Sequence, residues 1–324
     1  MIPALVLTAG LATRLRPLSL VRAKAALPVA GQPLVVRILR WLRGAGITDV
    51  VLNLHHHPET LTRLVGDGQD FGMRVRYSWE TPVLGSAGGP KRAAPILGAP
   101  RFLVVNGDTL TTLDLAPLLA DHDRSGALVT MAGVPNTEPH KYSGLLAGAD
   151  GAMRGVAPRG SSEPSYHYFG VQVVEGAAFD TVPPDTPYES VAALYPALNA
   201  ARPGSVRVLP TEASYHDIGT PLDYYATSMA FADREGTAAA HRSILWDDVQ
   251  IGEGATVERC VVTDGARIPA RTAWTDQIIR RLDGPLAPGE QAIGPLAVSS
   301  LTVDGAGLKT GGYDEGRSKD RRLR

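Results

Sequence analysis

Residues 4–17 read ALVLTAGLATRLRP. The apolar run 4–8 has the length and composition of a buried strand, and it breaks at once into small residues around Gly10. A turn of this kind after a buried strand lets backbone N–H groups approach phosphate oxygens. Arg14 follows in the same string, and Lys24 stands further on in RAKAALPVAG, residues 22–31. Both cations can add charge-assisted contacts to the same phosphates.

Outward from this stretch the first half alternates short apolar runs with helical patterns. Leu34, Ile38, Trp41 and Leu42 share a helical face that opens at Pro33 and ends at Gly44 and Gly46. Residues 50–54 (VVLNL), 73–77 and 102–106 (FLVVN) predict further strands, with helices over 58–65 and 88–97 between them. The alternation predicts an α/β fold with a Rossmann-like mixed sheet flanked by helices, its ligands at the carboxyl ends of the strands. From 127 to 175 the strand signals crowd together (ALVTMAGV, YSGLL, YHYFGVQVV), which predicts an antiparallel extension. Helices are expected over 189–201 and 221–233.

Composition shifts near 235. Ile251, Val257, Val262, Ile268 and Trp274 recur with a period near six, with Gly252, Gly254 and Gly265 between them. One or two turns of a short β-helix fit this spacing, and a plain β-meander fits it equally. The expected division is a catalytic domain over 1–235, a short left-handed β-helix-like cap over 236–300 and a flexible tail over 301–324. Every phosphate and metal motif precedes 221, so the cap is expected to be separable.

The chain has 324 residues, 44% of them apolar, with 32 Lys plus Arg against 33 Asp plus Glu. That balance points to no nucleic-acid partner and no anionic membrane surface. The single cysteine, Cys260, excludes an internal disulfide and a Cys-based zinc site. No apolar run nears the ~20 residues that span a bilayer, and nothing at the start reads as a signal peptide. A cytoplasmic protein is expected. The oligomeric state is open, a homo-oligomer included.

The string 8–31 resembles the signature of the sugar-1-phosphate nucleotidyltransferases, Gly-x-Gly-Thr-Arg-x-x-Pro followed by Lys-Pro and Pro-Val-x-Gly-x-Pro. The resemblance covers roughly residues 1–235. It implies a loop of Ala9, Gly10, Leu11, Thr13 and Arg14 around a nucleoside triphosphate, with Arg14 and Lys24 on its phosphates. Ala12 replaces the second glycine and Ala25 the proline after the lysine. Alanine is a mild change at 12 unless φ is positive.

Three further motifs follow in order. Leu84-Gly85-Ser86-Ala87-Gly88-Gly89 resembles the Leu-Gly-Thr-Ala-Gly stretch of the guanylyltransferase branch, which implies that Gly85, Ser86, Ala87 and Gly88 line a base pocket. Read alone it is a glycine-rich helix start. Asn106-Gly107-Asp108 ends a buried strand, and the resemblance implies a catalytic, Mg²⁺-binding Asp108. His216-Asp217-Ile218-Gly219-Thr220-Pro221 resembles Trp-x-Asp-x-Gly-Thr-Pro, which makes Asp217 the second metal carboxylate; Thr220 also reads as a helix cap.

On the sugar side the resemblance implies Tyr142, Gly144 and Gly170. The Glu-Lys-Pro usual there is missing, and Arg159 is expected to replace its lysine, which binds the sugar phosphate. The three histidines 55–57 alternate in direction on an extended chain and are expected in a loop, not around a metal.

The implied reaction joins a nucleoside triphosphate to a sugar-1-phosphate with Mg²⁺ as cofactor. GTP with mannose-1-phosphate is the first choice, and a UTP- or dTTP-dependent transferase the alternative. A catalytically weak regulatory relative is disfavoured by the intact Arg14, Lys24, Asp108 and Asp217. A Rossmann dehydrogenase is disfavoured because His55, not an acid, follows strand 50–54.

Overall fold

A computed structural model describes residues 2–237 and 242–301. Its centre is a mixed sheet of nine strands: β1 (Ala4–Leu7), β2 (Asp49–Leu54), β3 (Arg74–Trp79), β4 (Arg101–Asn106), β5 (Val129–Pro135), β6 (Gly144–Ala147), β7 (Met153–Ala157), β8 (Tyr166–Glu175) and β9 (Val206–Pro210). Strands β3, β2, β1 and β4 lie side by side and parallel. Antiparallel β8 follows β4, then β5, and β9 pairs parallel with β5. The β6–β7 hairpin joins β8 where Leu145 meets Tyr166.

Both faces of the sheet are buried, as continuous apolar runs require. Side chains alternate along a strand. Ala4 and Val6 therefore enter one core and Leu5 the other, and Leu103 and Val105 divide from Phe102 and Val104 in the same way. The first core takes Leu34, Val35, Ile38, Leu39 and Leu42 from helix α1 (Leu34–Gly44). Helices α2 (Pro58–Val65), α4 (Leu115–Ser125) and α6 (Pro221–Glu235) also give residues to it. The second takes Ala87, Ala93 and Leu97 from α3 (Gly85–Leu97) and Tyr195 from α5 (Tyr195–Ala201). The predicted 189–201 helix opens instead with a wider turn over Ser190–Leu194.

The period-six segment forms parallel coils. Ile244–Leu245 stacks on Val261–Val262, which stacks on Ile278–Ile279. Gln250–Ile251 stacks on Arg267–Ile268, and Thr256–Glu258 on Ala273–Thr275. These three ladders are the sides of a small prism, not a meander. The prism has its own core around Val262, Ile268 and Ile279. It also gives Ile244, Trp246, Val261 and Ile278 to the first core of the sheet, so the prism and the sheet share buried surface. The tail expected over 301–324 lies outside the described residues from 302 onward.

Candidate active site

Strand order turns back at β1: the chain goes from β1 to β2 on one side and later to β4 on the other. Ligand crevices open at such switch points, beyond the carboxyl ends of the strands. Thr8–Thr13 leave β1 here, and Gly107-Asp108 leave β4. Gly107 N donates to Leu7 O at 2.9 Å, and a Cβ on Gly107 would lie 2.6 Å from that oxygen. Only glycine lets the two strand ends approach this closely.

A buried polar chain fixes the first loop. Thr8 N and Ala9 N donate to Asn53 Oδ1 at 2.5 and 3.3 Å. Asn53 Nδ2 donates to Glu80 Oε1 at 2.7 Å, and Leu84 N donates to Glu80 Oε2 at 2.8 Å. Asn53 is 3% exposed and Glu80 2%. The apolar pattern of β2 and β3 conceals both residues, because their partners come from distant segments. Beyond Ala9 the loop emerges: Gly10, Leu11, Thr13 and Arg14 are exposed. Ala12 has φ +47°, in the left-handed region. The mild-substitution reading is therefore corrected, since this is a backbone state that favours glycine.

Lys24 sits on a short turn, Lys24–Ala26, and its Nζ makes an ion pair with Asp108 Oδ2. Asp217 reaches the same place by a two-residue ladder, Tyr215–His216 against Leu110–Thr111. His216 opposite Leu110 brings the residue after one strand beside the residues before the other. Burial first, and then the charge of Asp108, raise the Asp217 pKa above the usual carboxylate value; Lys24 and Lys141 oppose them. Tyr142 Oη donates to Asp217 Oδ2 at 3.4 Å. A Cβ on Gly219 would lie 3.5 Å from Arg14 Nη1, so Arg14 stands beside the Asp217–Thr220 turn. Thr220 caps α6 by accepting from Asp223 N at 3.1 Å.

Lys141 escaped the sequence reading, because nothing around it marks it. Its Nζ lies 3.6 Å from Asp223 Oδ1 and 5.0 Å from the centre of the Tyr142 ring. Burial works against its charge, but the Tyr142 hydroxyl, Asp223 and Glu138 raise its pKa. Three cations (Arg14, Lys24, Lys141) and three carboxylates (Asp108, Asp217, Asp223) thus gather around one crevice.

Tyr142, His167, Tyr215 and Phe169 form an aromatic wall, with successive ring centres 4.0, 4.9 and 5.7 Å apart. Burial, with Lys141 nearby, lowers the His167 pKa to about 4, so its ring is neutral at pH 7. Gly144 and Gly170 are buried, and a Cβ on them would meet Ser165 and Asn106 respectively. Arg159 is exposed on a turn tied to the Lys141 loop by Gly160 N donating to Pro139 O at 2.8 Å.

The 85–88 stretch is held from above by residues 186–190. Ser86 Oγ donates to Glu189 Oε2 at 2.6 Å and accepts from Ser190 N at 2.8 Å. Ala87 N and Gly88 N both donate to Tyr188 O. A Cβ on Gly88 would lie 2.5 Å from Thr186 O. Ala87 and Gly88 are buried; Gly85 and Ser86 are half-buried. The small residues thus admit a neighbouring backbone, a reason for them independent of any base.

His55 Nδ1 bonds to Glu80 O at 2.9 Å and His56 Nε2 to Ser19 O at 2.7 Å, two different neighbours. Among the described residues no three His, Cys, Asp or Glu side chains converge. A cation at Asp108 and Asp217 would therefore draw its other ligands from substrate and water, the habit of Mg²⁺. A separate cavity, lined in part by Trp41, His216, Phe231 and Arg234, lies on the α1–α6 side of the short ladder. No described helix is long and apolar enough to cross a membrane.

Residues 3–234 match the family model described as Nucleotidyl transferase. A mannose-1-phosphate guanylyltransferase of Mycobacterium tuberculosis is 28% identical over 295 residues, 83% of this chain and 82% of that protein. An N-acetylmuramate alpha-1-phosphate uridylyltransferase of Neisseria meningitidis is 42% identical over 112 residues, 34% of this chain and 48% of that protein. HddC from Yersinia pseudotuberculosis, crystallised with GMP-PN, has the same fold: TM-score 0.62, 23% identity, 71% of this chain and all of that one. With residues 3–234 of its 324 matched by the family model, the chain belongs to the nucleotidyl transferase family.

Proposed function

We propose that this chain joins GTP to mannose-1-phosphate, or to a closely related sugar-1-phosphate, giving a nucleotide-sugar and pyrophosphate in the cytoplasm. The carrying observation is the convergence of Arg14, Lys24, Asp108 and Asp217 on the switch-point crevice from four separate segments. The choice of GTP and mannose is supported by the 28% identity that runs over 83% of the chain.

The sugar-phosphate oxygen attacks the α-phosphorus in line, and the bond from that phosphorus to the bridging oxygen breaks, with pyrophosphate leaving. No side-chain nucleophile is required. Positioning and charge neutralisation carry such a reaction. Arg14 and the 9–13 loop hold the triphosphate, and Lys24 offsets charge on the transferring phosphate. Asp108 and Asp217 would hold Mg²⁺, which supplies Lewis-acid polarisation of the phosphate oxygens when bound. Tyr142 orients Asp217, the aromatic wall offers a face to the sugar, and Arg159, on the turn tied to the Lys141 loop, would reach toward its phosphate. Of the 85–88 stretch, half-buried Gly85 and Ser86 would meet the base, while Ala87 and Gly88 are buried under Tyr188 and Thr186.

The 42% identical stretch supports a second reading, UTP with an acidic amino-sugar phosphate. A grid of nucleoside triphosphates against sugar-1-phosphates, read by pyrophosphate release, tests both. GTP with mannose-1-phosphate should give the highest kcat/KM. A UTP optimum would replace the base assignment, and no release from any pair would overturn the reaction.

A further inference from the structure

Asp247 and Asp264 are 17 residues apart, one coil of the cap. The coil period therefore stacks both carboxylates on the same corner, where they repel. Arg22 enters against them. Its Nε donates to Asp264 Oδ2 at 2.7 Å, and its Nη2 donates to Asp247 Oδ2 at 2.6 Å and to Asp264 Oδ1 at 2.5 Å. The guanidinium lies 5.2 Å from the centre of the Trp246 ring. Trp246 Nε1 donates to Tyr224 Oη at 3.0 Å, and Tyr224 Oη donates to Pro28 O at 2.6 Å.

Arg22 is 8% exposed and Trp246 5%. Arg22 and Pro28 bracket Lys24, two residues before it and four after it. The segment that carries the lysine is thus anchored at both ends to groups of, or bonded to, the cap.

We propose that the cap is a positioning element for the reaction. Through Arg22, the stacked pair Asp247 and Asp264 fixes the loop that presents Lys24, and so acts on turnover without touching substrate. The inference rests on the reading of Lys24 as a phosphate-binding residue. Its physical basis is the cost of a buried guanidinium without counter-charge. When the aspartates are neutralised, Arg22 must move toward water, and Lys24 follows along two peptide bonds. A displacement of about 1 Å at a positioned charge costs on the order of 10²-fold in rate.

The test uses the full chain carrying Asp247→Asn and Asp264→Asn together, read by kcat, KM, melting temperature and amide hydrogen exchange. The expected result is a kcat lower by about 10- to 100-fold with KM nearly constant. Exchange should quicken in residues 19–27 and little elsewhere in the sheet region. In a Lys24→Ala background the same pair of changes should add no further loss, and Asp264→Glu should recover part of the rate.

A folded double variant with unchanged kcat and unchanged exchange overturns the proposal. So does a loss that adds in full to that of Lys24→Ala, which would mean a route independent of the lysine. If the double variant melts below the assay temperature, Asp247→Asn alone is read by the same criteria, since that carboxylate is 77% exposed. Wild-type turnover in Lys24→Ala would instead overturn the role of Lys24 itself, and this inference with it.

Discussion

Lys24 and Asp108, 84 positions apart, meet as an ion pair between the Lys24–Ala26 turn and the residues just after β4, each more than two-thirds buried. On the proposed reading, replacing Lys24 by alanine would remove one preorganised charge from the transferring phosphate. The expected loss is about 2.7–4 kcal/mol of transition-state stabilisation, or roughly 10²–10³-fold in kcat. The melting temperature should fall far less, because the side chain holds no apolar core. Steady-state kinetics beside a thermal melt check this, and a near-normal kcat would remove Lys24 from the site.

Asp217 gives a prediction of opposite sign for stability and activity. Its folded-state pKa is raised, so the folded protein holds this proton more tightly than the unfolded chain. The stability that this brings is complete below the unfolded value and is lost as pH rises through the folded one. At pH 7 without metal the ionised carboxylate is therefore a burden. Asp217→Asn should melt higher than wild type at pH 7 in chelator, and the gain should vanish near pH 3. The same variant should lose most turnover. Paired melts and rates across pH decide it.

Asp108 and Asp217 together predict metal dependence. Excess chelator should stop pyrophosphate release, and added Mg²⁺ should restore it. Mg²⁺ with nucleotide should raise the melting temperature of wild type but not of Asp108→Asn. Full activity in excess chelator would rule out the shared carboxylate site.

Ala12 at φ +47° predicts a stabilising change to glycine. Relief of the left-handed alanine, set against the greater freedom of glycine in the unfolded chain, should leave a net gain of about 1 kcal/mol. Chemical denaturation would read it as a higher midpoint at constant slope. A loss of stability would show that the loop holds Ala12 without strain.

Trp246 predicts that the cap cannot simply be cut away. It is 5% exposed and lies in the same core as β1. Trp246→Ala should cost about 3–5 kcal/mol. Ending the chain at 235 should expose Tyr224 and its apolar neighbours and give aggregating protein. A soluble 1–235 fragment with wild-type melting behaviour would restore the separable domain that the motif positions predict.

Hydrophobic periodicity made most elements legible. Expected strands 4–8, 50–54 and 102–106 correspond to Ala4–Leu7, Asp49–Leu54 and Arg101–Asn106. Helix 88–97 begins earlier, at Gly85, because Tyr188 O accepts from the first-turn amides and glycine supplies the turn. Asp108 and Asp217 could be singled out because each follows a strand end, and Arg14 because it stands in the signature string after β1. Asn53, Glu80, Lys141 and Arg22 could not. Their meaning lies in partners 27, 45, 82 or 242 positions distant, or on a loop with no pattern, and one sequence carries no record of such pairings. The sharing of one core between cap and sheet was hidden for the same reason.

The 17-residue spacing of the cap makes its length a discrete quantity. Arg259 and Asp276 repeat the rule set by Asp247 and Asp264: a residue answers to the one directly above it. Losing one residue anywhere between 248 and 263 would turn every later corner out of line and carry Asp264 off Arg22. Adding a whole coil after Ile279 would leave that corner untouched. Length changes between 248 and 263 should therefore be accommodated only in steps of a full turn, because the register of the prism is fixed where Arg22 meets it.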